Sequence, residues 1–172
     1  MSRQPSPLFV LDSDVIIGAY RNHYAPDICP GFWDCIPLYF QSKRLISIDR
    51  VFDEIQNPGD LVQWAQNAPS GLFAFSGEQP AITAYGTVMD WVQNSSQFKP
   101  EAKREFAAGA DGWLVAYAQT HRAVVVTQEV SAPEAKNKVP IPDVCRVFGV
   151  EYVNSWEMLR QLGVRFILEP IA

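Results

Sequence analysis

The strongest constraint on the fold is Leu8-Phe-Val-Leu11, a continuous apolar run that stops at Asp12. A run that is apolar at every position suits a strand covered on both faces, as in a parallel sheet. Parallel neighbours must be joined by long crossovers, usually helices, and the chain supplies them. Asp12 or Ser13 can cap a helix whose inner face carries Val15, Ile16, Ala19 and Tyr20. A second helix is predicted over about residues 31–43, with Pro37 as an interruption. Strands follow at Leu45–Ile48, Leu72–Phe75, Ala123–Thr127 and Glu151–Val153, with helical spacing between them. The short helix after the second strand takes Asp49 as its cap, and Val144 to Phe148 reads as a helical turn. Asn154, Glu157 and Gly163 bracket a last helix over Ser155–Leu162. Strands alternating with helices predict an α/β fold, a single three-layer α/β/α domain with a mostly parallel central sheet. That domain is expected over residues 8–172, behind a flexible stretch 1–7.

At 172 residues the chain fits one domain, and a domain of this size buries roughly 70% of its unfolded surface. Its hydrophobic share of 48% and charged share of 19% argue against a disordered chain or a coiled coil. No apolar run approaches the ~18 residues of a membrane span. The N-terminus lacks the apolar core of a secretory signal, so a cytoplasmic protein is expected. Cys29, Cys35 and Cys145 show no C-x-x-C spacing, which disfavours a disulfide framework or a zinc knuckle. Only two histidines are present, so any chemistry here runs on carboxylates. The net charge of −5 does not advertise a nucleic-acid surface, although acids gathered round cations would account for much of it.

In open α/β sheets the working surface lies beyond the carboxyl ends of the strands. Asp12 ends the first strand and Glu129 follows the valine-rich one; Glu54 lies on the helix after the second. Asp111 opens the apolar helix after Ala110, and Asp143 follows Ile141-Pro142. Carboxylates this scattered converge only if the fold brings the strand ends together, and together they repel unless a cation is present. Hard oxygen ligands select Mg²⁺ or Mn²⁺. Asp14 reads as a first-turn helix acid, and Trp33, Trp64, Trp91 and Trp113 read as packing residues.

The order apolar strand–Asp12-Ser-Asp-Val-Ile-Ile17, Glu54, Ala110-Asp111-Gly-Trp-Leu-Val-Ala116, Val-Val-Val-Thr127-Gln-Glu129 resembles the PIN domain. Pro30-Gly-Phe-Trp33, Arg44-Leu-Ile-Ser47, Val139-Pro-Ile-Pro-Asp-Val-Cys145 and Glu157-Met-Leu-Arg-Gln-Leu162 extend the resemblance over nearly the whole chain, to a PIN-like group of the DUF4411 type. The resemblance implies a Mg²⁺- or Mn²⁺-dependent endoribonuclease, such as the toxin of a toxin–antitoxin pair. Its implied catalytic residues are Asp12, Glu54 and Asp111. Its implied metal ligands add Glu129 or Asp143 as a fourth acid, because Thr127-Gln-Glu129 departs from the usual Thr-x-Asp. Thr127 is expected as a substrate contact, and Lys136 and Lys138, beside Glu129, read equally as phosphate contacts or as a solvated loop. Its partners are an RNA substrate, an antitoxin protein and a second copy in a homodimer.

Two other readings compete. Val10-Leu-Asp-Ser-Asp14-Val fits the first motif of a haloacid-dehalogenase-type phosphatase, with Asp12 as nucleophile and Asp14 as acid/base. A PIN-like domain that binds RNA or protein without cleaving is the other, because the fourth acid is non-standard.

Overall fold

The computed structural model describes residues 6–168, so residues 1–5 of the expected flexible stretch lie outside the described residues. Five parallel strands form one sheet in the order β3-β2-β1-β4-β5. They are β1 (Phe9–Leu11), β2 (Leu45–Ile48), β3 (Phe73–Ala74), β4 (Val124–Val126) and β5 (Tyr152–Val153). Every residue of β1 and β4 is buried, as expected of apolar strands covered on both sides.

Between β1 and β2 run α1 (Ser13–Gly18), which continues as a π-helical turn Ala19–His23, and α2 (Pro30–Gln41). Between β2 and β3 lie α3 (Asp49–Glu54) and α4 (Gly59–Gln66). The long excursion from β3 to β4 carries α5 (Gln79–Asn94), α6 (Pro100–Ala108) and α7 (Asp111–His121); α8 (Ile141–Phe148) and α9 (Ser155–Leu162) flank β5. Crossovers β1→β2→β3 travel one way along the sheet, and β3→β4→β5 return the other way. With right-handed crossovers the two sets lie on opposite faces, which gives the three layers.

The predicted elements recur with a few shifts. Pro37 sits inside α2 without ending it, because Phe32, Trp33 and Ile36 bury its face in the core. Asp49 is the first residue of α3 rather than its cap, and its carboxylate binds the amide and hydroxyl of Ser76. The helical turn expected at Val144 begins three residues earlier, at Ile141. Pro142 can stand in that first turn because the amide it lacks would have no helical partner.

Register sets up the site. Leu11 pairs with Val126, and the Asp12 amide donates to the Val126 carbonyl at 2.9 Å. β1 and β4 therefore end level, and Asp12 and Thr127 leave the sheet side by side. The strand order reverses there, at the position where open α/β sheets place their ligands.

Candidate functional site: an acidic cleft at the ends of β1 and β4

Asp12 is 3% exposed, and its Oδ1 accepts from the Ser13 amide at 2.7 Å at the start of α1. Its Oδ2 accepts from Thr127 Oγ1 at 2.9 Å. The Thr127 hydroxyl also lies 3.1 Å from Asp14 Oδ2, which accepts from the Gln128 amide at 2.9 Å. Asp14 Oδ1 is buried with no hydrogen-bond partner among the described residues. Asp111 enters from the first turn of α7, and Glu129 from the loop after β4. Asp12, Asp14, Asp111 and Glu129, with Glu105 and Lys138, line one cleft of about 240 Å³.

The charges in this cleft oppose one another. Burial raises the Asp12 carboxyl well above its ordinary range, and the charges of Asp14 and Asp111 raise it further. Burial also raises Asp14, against the donors at Gln128 and Thr127 that lower it. Asp111 is lifted to about 7, by burial first and then by Glu129 and Glu54, while Lys138 pulls it down. Lys138 is the basic side chain in the cleft. Its ammonium pairs with Glu129 Oε1, and Glu129 Oε2 accepts from the Ile141 amide at the start of α8 at 2.9 Å.

Glu54 does not line this cleft. It faces a neighbouring hollow with Arg50, Gly109 and Trp113, where its Oε1 accepts from the Ala110 amide at 2.8 Å and so holds the entry to α7. A Cβ built on Gly109 would stand 3.3 Å from Glu54 Oε1 and 4.0 Å from Asp111 Oδ1, so the two acids flank that glycine. Asp143 is also apart from the cleft. Ser131 Oγ donates to it at 2.6 Å, the Ala132 amide at 2.8 Å, and Arg146 lies 3.6 Å away. It fastens the loop after β4 to α8. Lys136 is exposed and outside the cleft, and its carbonyl accepts from the Lys99 amide. Thr127 is 1% exposed and turned to the two aspartates, which makes it an organiser of the acids.

Asp14, expected as a first-turn helix acid, is in the first turn of α1 and lines the cleft as well. The signal was present in Asp12-Ser-Asp14, whose i,i+2 spacing at a strand-to-helix turn puts both carboxylates near the same strand end. Asp12, Asp14, Asp111 and Glu129 suit a hard cation by their oxygen chemistry, and the orphaned Asp14 Oδ1 is an atom such a cation would satisfy. As the side chains stand, no group of three carboxylate, thiol or imidazole side chains among the described residues is close enough to hold one ion together.

A roomier hollow of about 530 Å³ lies at the other end of the sheet, beside Pro7, Val124 and Glu151. Glu151 is the one acid that lines it, so its size is not matched by the opposed charges that mark the cleft.

A family model matches residues 9–166, nearly the whole of the described structure, and its description is "domain of unknown function (DUF4411)". The chain belongs to this family. A comparison with curated proteins gives no match. The matched DUF4411 span includes every residue of the acidic cleft, from Asp12 to Val139. No helix among the described residues of this DUF4411 chain is long and apolar enough to cross a membrane.

Proposed function

We propose that this DUF4411 chain is a divalent-cation-dependent nuclease that hydrolyses RNA phosphodiester bonds. The observation that carries the reading is the meeting of Asp12, Asp14, Asp111 and Glu129 in one cleft where the strand order reverses, with one buried carboxylate oxygen left without a donor. These four acids would hold Mg²⁺ or Mn²⁺, Glu129 doing so on release from Lys138. Bound there, the cation would supply polarisation of the scissile phosphate and a water of lowered pKa.

The chain's own groups have separable tasks in this reading. Thr127 fixes the Asp12 carboxylate. Glu54 holds the Ala110 amide and so aims Asp111. Asp111, lifted to about 7 by burial and the neighbouring acids, would give up its proton on taking the cation. Lys138 is free to move from Glu129 to a substrate phosphate. RNA rather than DNA, and an antitoxin as protein partner, rest on the PIN resemblance.

The test is cleavage of single-stranded RNA by the purified protein with Mn²⁺ or Mg²⁺. Cleavage should stop with EDTA and leave 5′-phosphate and 3′-hydroxyl ends. Asp12→Asn should slow it by at least ~100-fold with an equal or higher melting temperature, because it relieves carboxylate repulsion. A variant that cuts as fast as the parent would end the reading. Mn²⁺ affinity that depends on Asp12, without cleavage, would point to a domain that binds RNA or protein and does not cut.

One observation favours a second reading, a haloacid-dehalogenase-type phosphatase: Thr127 bonds Asp12, and Lys138 lines the same cleft. Trapping of phosphate on Asp12 by a phosphate ester would establish it. The near-complete burial of Asp12 is unfavourable for a nucleophile and places this reading second.

A further inference from the structure

A second pocket, of about 420 Å³, shares no residue with the acidic cleft and has a different chemistry. Its walls are Tyr20 from the π-helical turn, Trp33 from α2 and Trp64 from α4, with Pro26. Its remaining lining residues are Asp27 and Asp60. Tyr20 meets Trp33 nearly perpendicularly (80°, centroids 5.9 Å apart), and Trp33 meets Trp64 likewise (81°, 4.9 Å). Successive perpendicular rings build the corners of a cage.

Both carboxylates are exposed, and neither forms a salt bridge among the described residues. Among the described residues the Asp60 carboxylate has only the Tyr20 hydroxyl, at 3.5 Å, long for an O–H···O bond. No basic side chain lines the pocket. An anion would be repelled there, and an apolar ligand would strip water from the carboxylates for nothing in return. A cation gains from both the ring faces and the acids.

We infer that the Tyr20–Trp33–Trp64 pocket is a binding site for an arginine side chain presented by a partner protein, with Asp27 and Asp60 as its counter-ions. A guanidinium is planar, weakly hydrated, stacks on aromatic faces and forks onto carboxylates, whereas an ammonium is a strongly hydrated point charge. The chain already uses this contact once, with the Arg50 guanidinium 4.7 Å from the centre of the Trp113 ring. Its net charge of −5 also favours a basic partner.

The test is a titration of the full chain with N-acetyl-arginine-amide, followed through the indole N–H resonances of its five tryptophans by NMR. Trp33 and Trp64 should shift and saturate in the millimolar range, with Trp91 and Trp113 unmoved. The uncharged citrulline analogue should give no saturable shift. The paired variant Asp27→Asn with Asp60→Asn should bind at least about tenfold more weakly while its indole spectrum stays folded. Trp64→Leu gives an independent loss should that pair perturb the turn at Asp27. No shift up to about 50 mM, equal binding of citrulline, or an unaffected paired variant would each overturn the site. Equal binding of N-acetyl-lysine-amide would overturn the arginine assignment. None of these outcomes depends on whether the cleft cuts RNA.

Discussion

Thr127 Oγ1 lies 2.9 Å from Asp12 Oδ2 and 3.1 Å from Asp14 Oδ2, so one hydroxyl serves two carboxylates with a single proton. The Glu129 amide donates to the same oxygen at 3.1 Å, which turns the hydroxyl proton towards the acids. Because the hydroxyl can satisfy only one carboxylate at a time, the dyad favours holding a proton of its own. Burial raises both carboxyls, and the charge of Asp14 raises Asp12 further. Register makes the arrangement possible, since Asp12 and Thr127 follow the paired residues Leu11 and Val126.

Thr127→Val keeps the shape of the side chain and removes this hydroxyl. The Asp12 pKa should rise further, since the hydroxyl bond holds it down. The Glu129 amide loses its acceptor, so stability should fall by about 1–2 kcal/mol. Mn²⁺ affinity measured calorimetrically should drop about 10-fold, as for loss of a group that orients a ligand. Unchanged affinity would mean that the dyad needs no organiser.

Asp111 makes stability depend on pH in a definite direction. Folded, it holds its proton to about pH 7; its ordinary value is 3.8. Between those values the folded state binds more protons, so stability falls as pH rises from about 4 to 7. The ceiling is about 4 kcal/mol, and at ~2–4 °C per kcal/mol for a chain of this size the melting temperature in EDTA should drop by several degrees from pH 5 to pH 8. Asp111→Asn should flatten the drop and melt above the parent at pH 8, with the two curves converging near pH 4. Parallel curves would show that Asp111 titrates normally.

The strand ends were legible because their signals are local. An apolar run ending in Asp12, and Val-Val-Val before Thr127, place two site residues on any parallel sheet that pairs them. The last helix was legible for the same reason: Asn154 Oδ1 caps the Glu157 amide at 2.9 Å, and Gly163 takes the left-handed φ of 76° that ends it. Three side-chain directions were not legible. Asp14 turns to Gln128 across the strand ends, a contact between elements more than a hundred residues apart. Glu54 is drawn to the Ala110 amide, so its aim depends on where α7 docks. Asp143 is taken by Ser131 and Ala132, in a loop with no periodicity to read. Helix and strand patterns say which residues lie near a site. Which of them face it is decided by backbone donors from distant segments.

Gly112 tests whether α7 can tolerate any displacement. A Cβ there would stand 3.0 Å from Tyr85 Cε2 and 3.1 Å from Phe106 Cε1, and the Tyr85 ring is stacked on Trp113 with centroids 3.9 Å apart. The ring cannot retreat without breaking that stack. Gly112→Ala should therefore cost about 1–3 kcal/mol despite the better helix propensity of alanine. Urea unfolding would measure it as a lower midpoint at constant slope. A stabilised variant would show that α5 and α6 can give way.

Lys138 stands where a cation would relieve the acids, pairing with Glu129 while its charge lowers the pKa of Asp111. Its side chain is 57% exposed, so the pair itself is worth at most about 1 kcal/mol. Lys138→Met should accordingly lower the melting temperature in EDTA only slightly, by ~2–4 °C or less at pH 8. The larger effect should appear on adding Mn²⁺. In the parent protein the ion must displace the ammonium from Glu129, whereas in the variant Glu129 is already free. Stabilisation by a ligand grows as RT ln(1 + [L]/Kd), so a tighter site shows as a larger thermal shift at the same Mn²⁺ concentration. The variant should therefore gain more than the parent from Mn²⁺, although it cuts RNA more slowly for want of a phosphate contact. An equal Mn²⁺ shift in both proteins would mean that Glu129 takes no part in holding the cation and serves only to fasten α8 through the Ile141 amide.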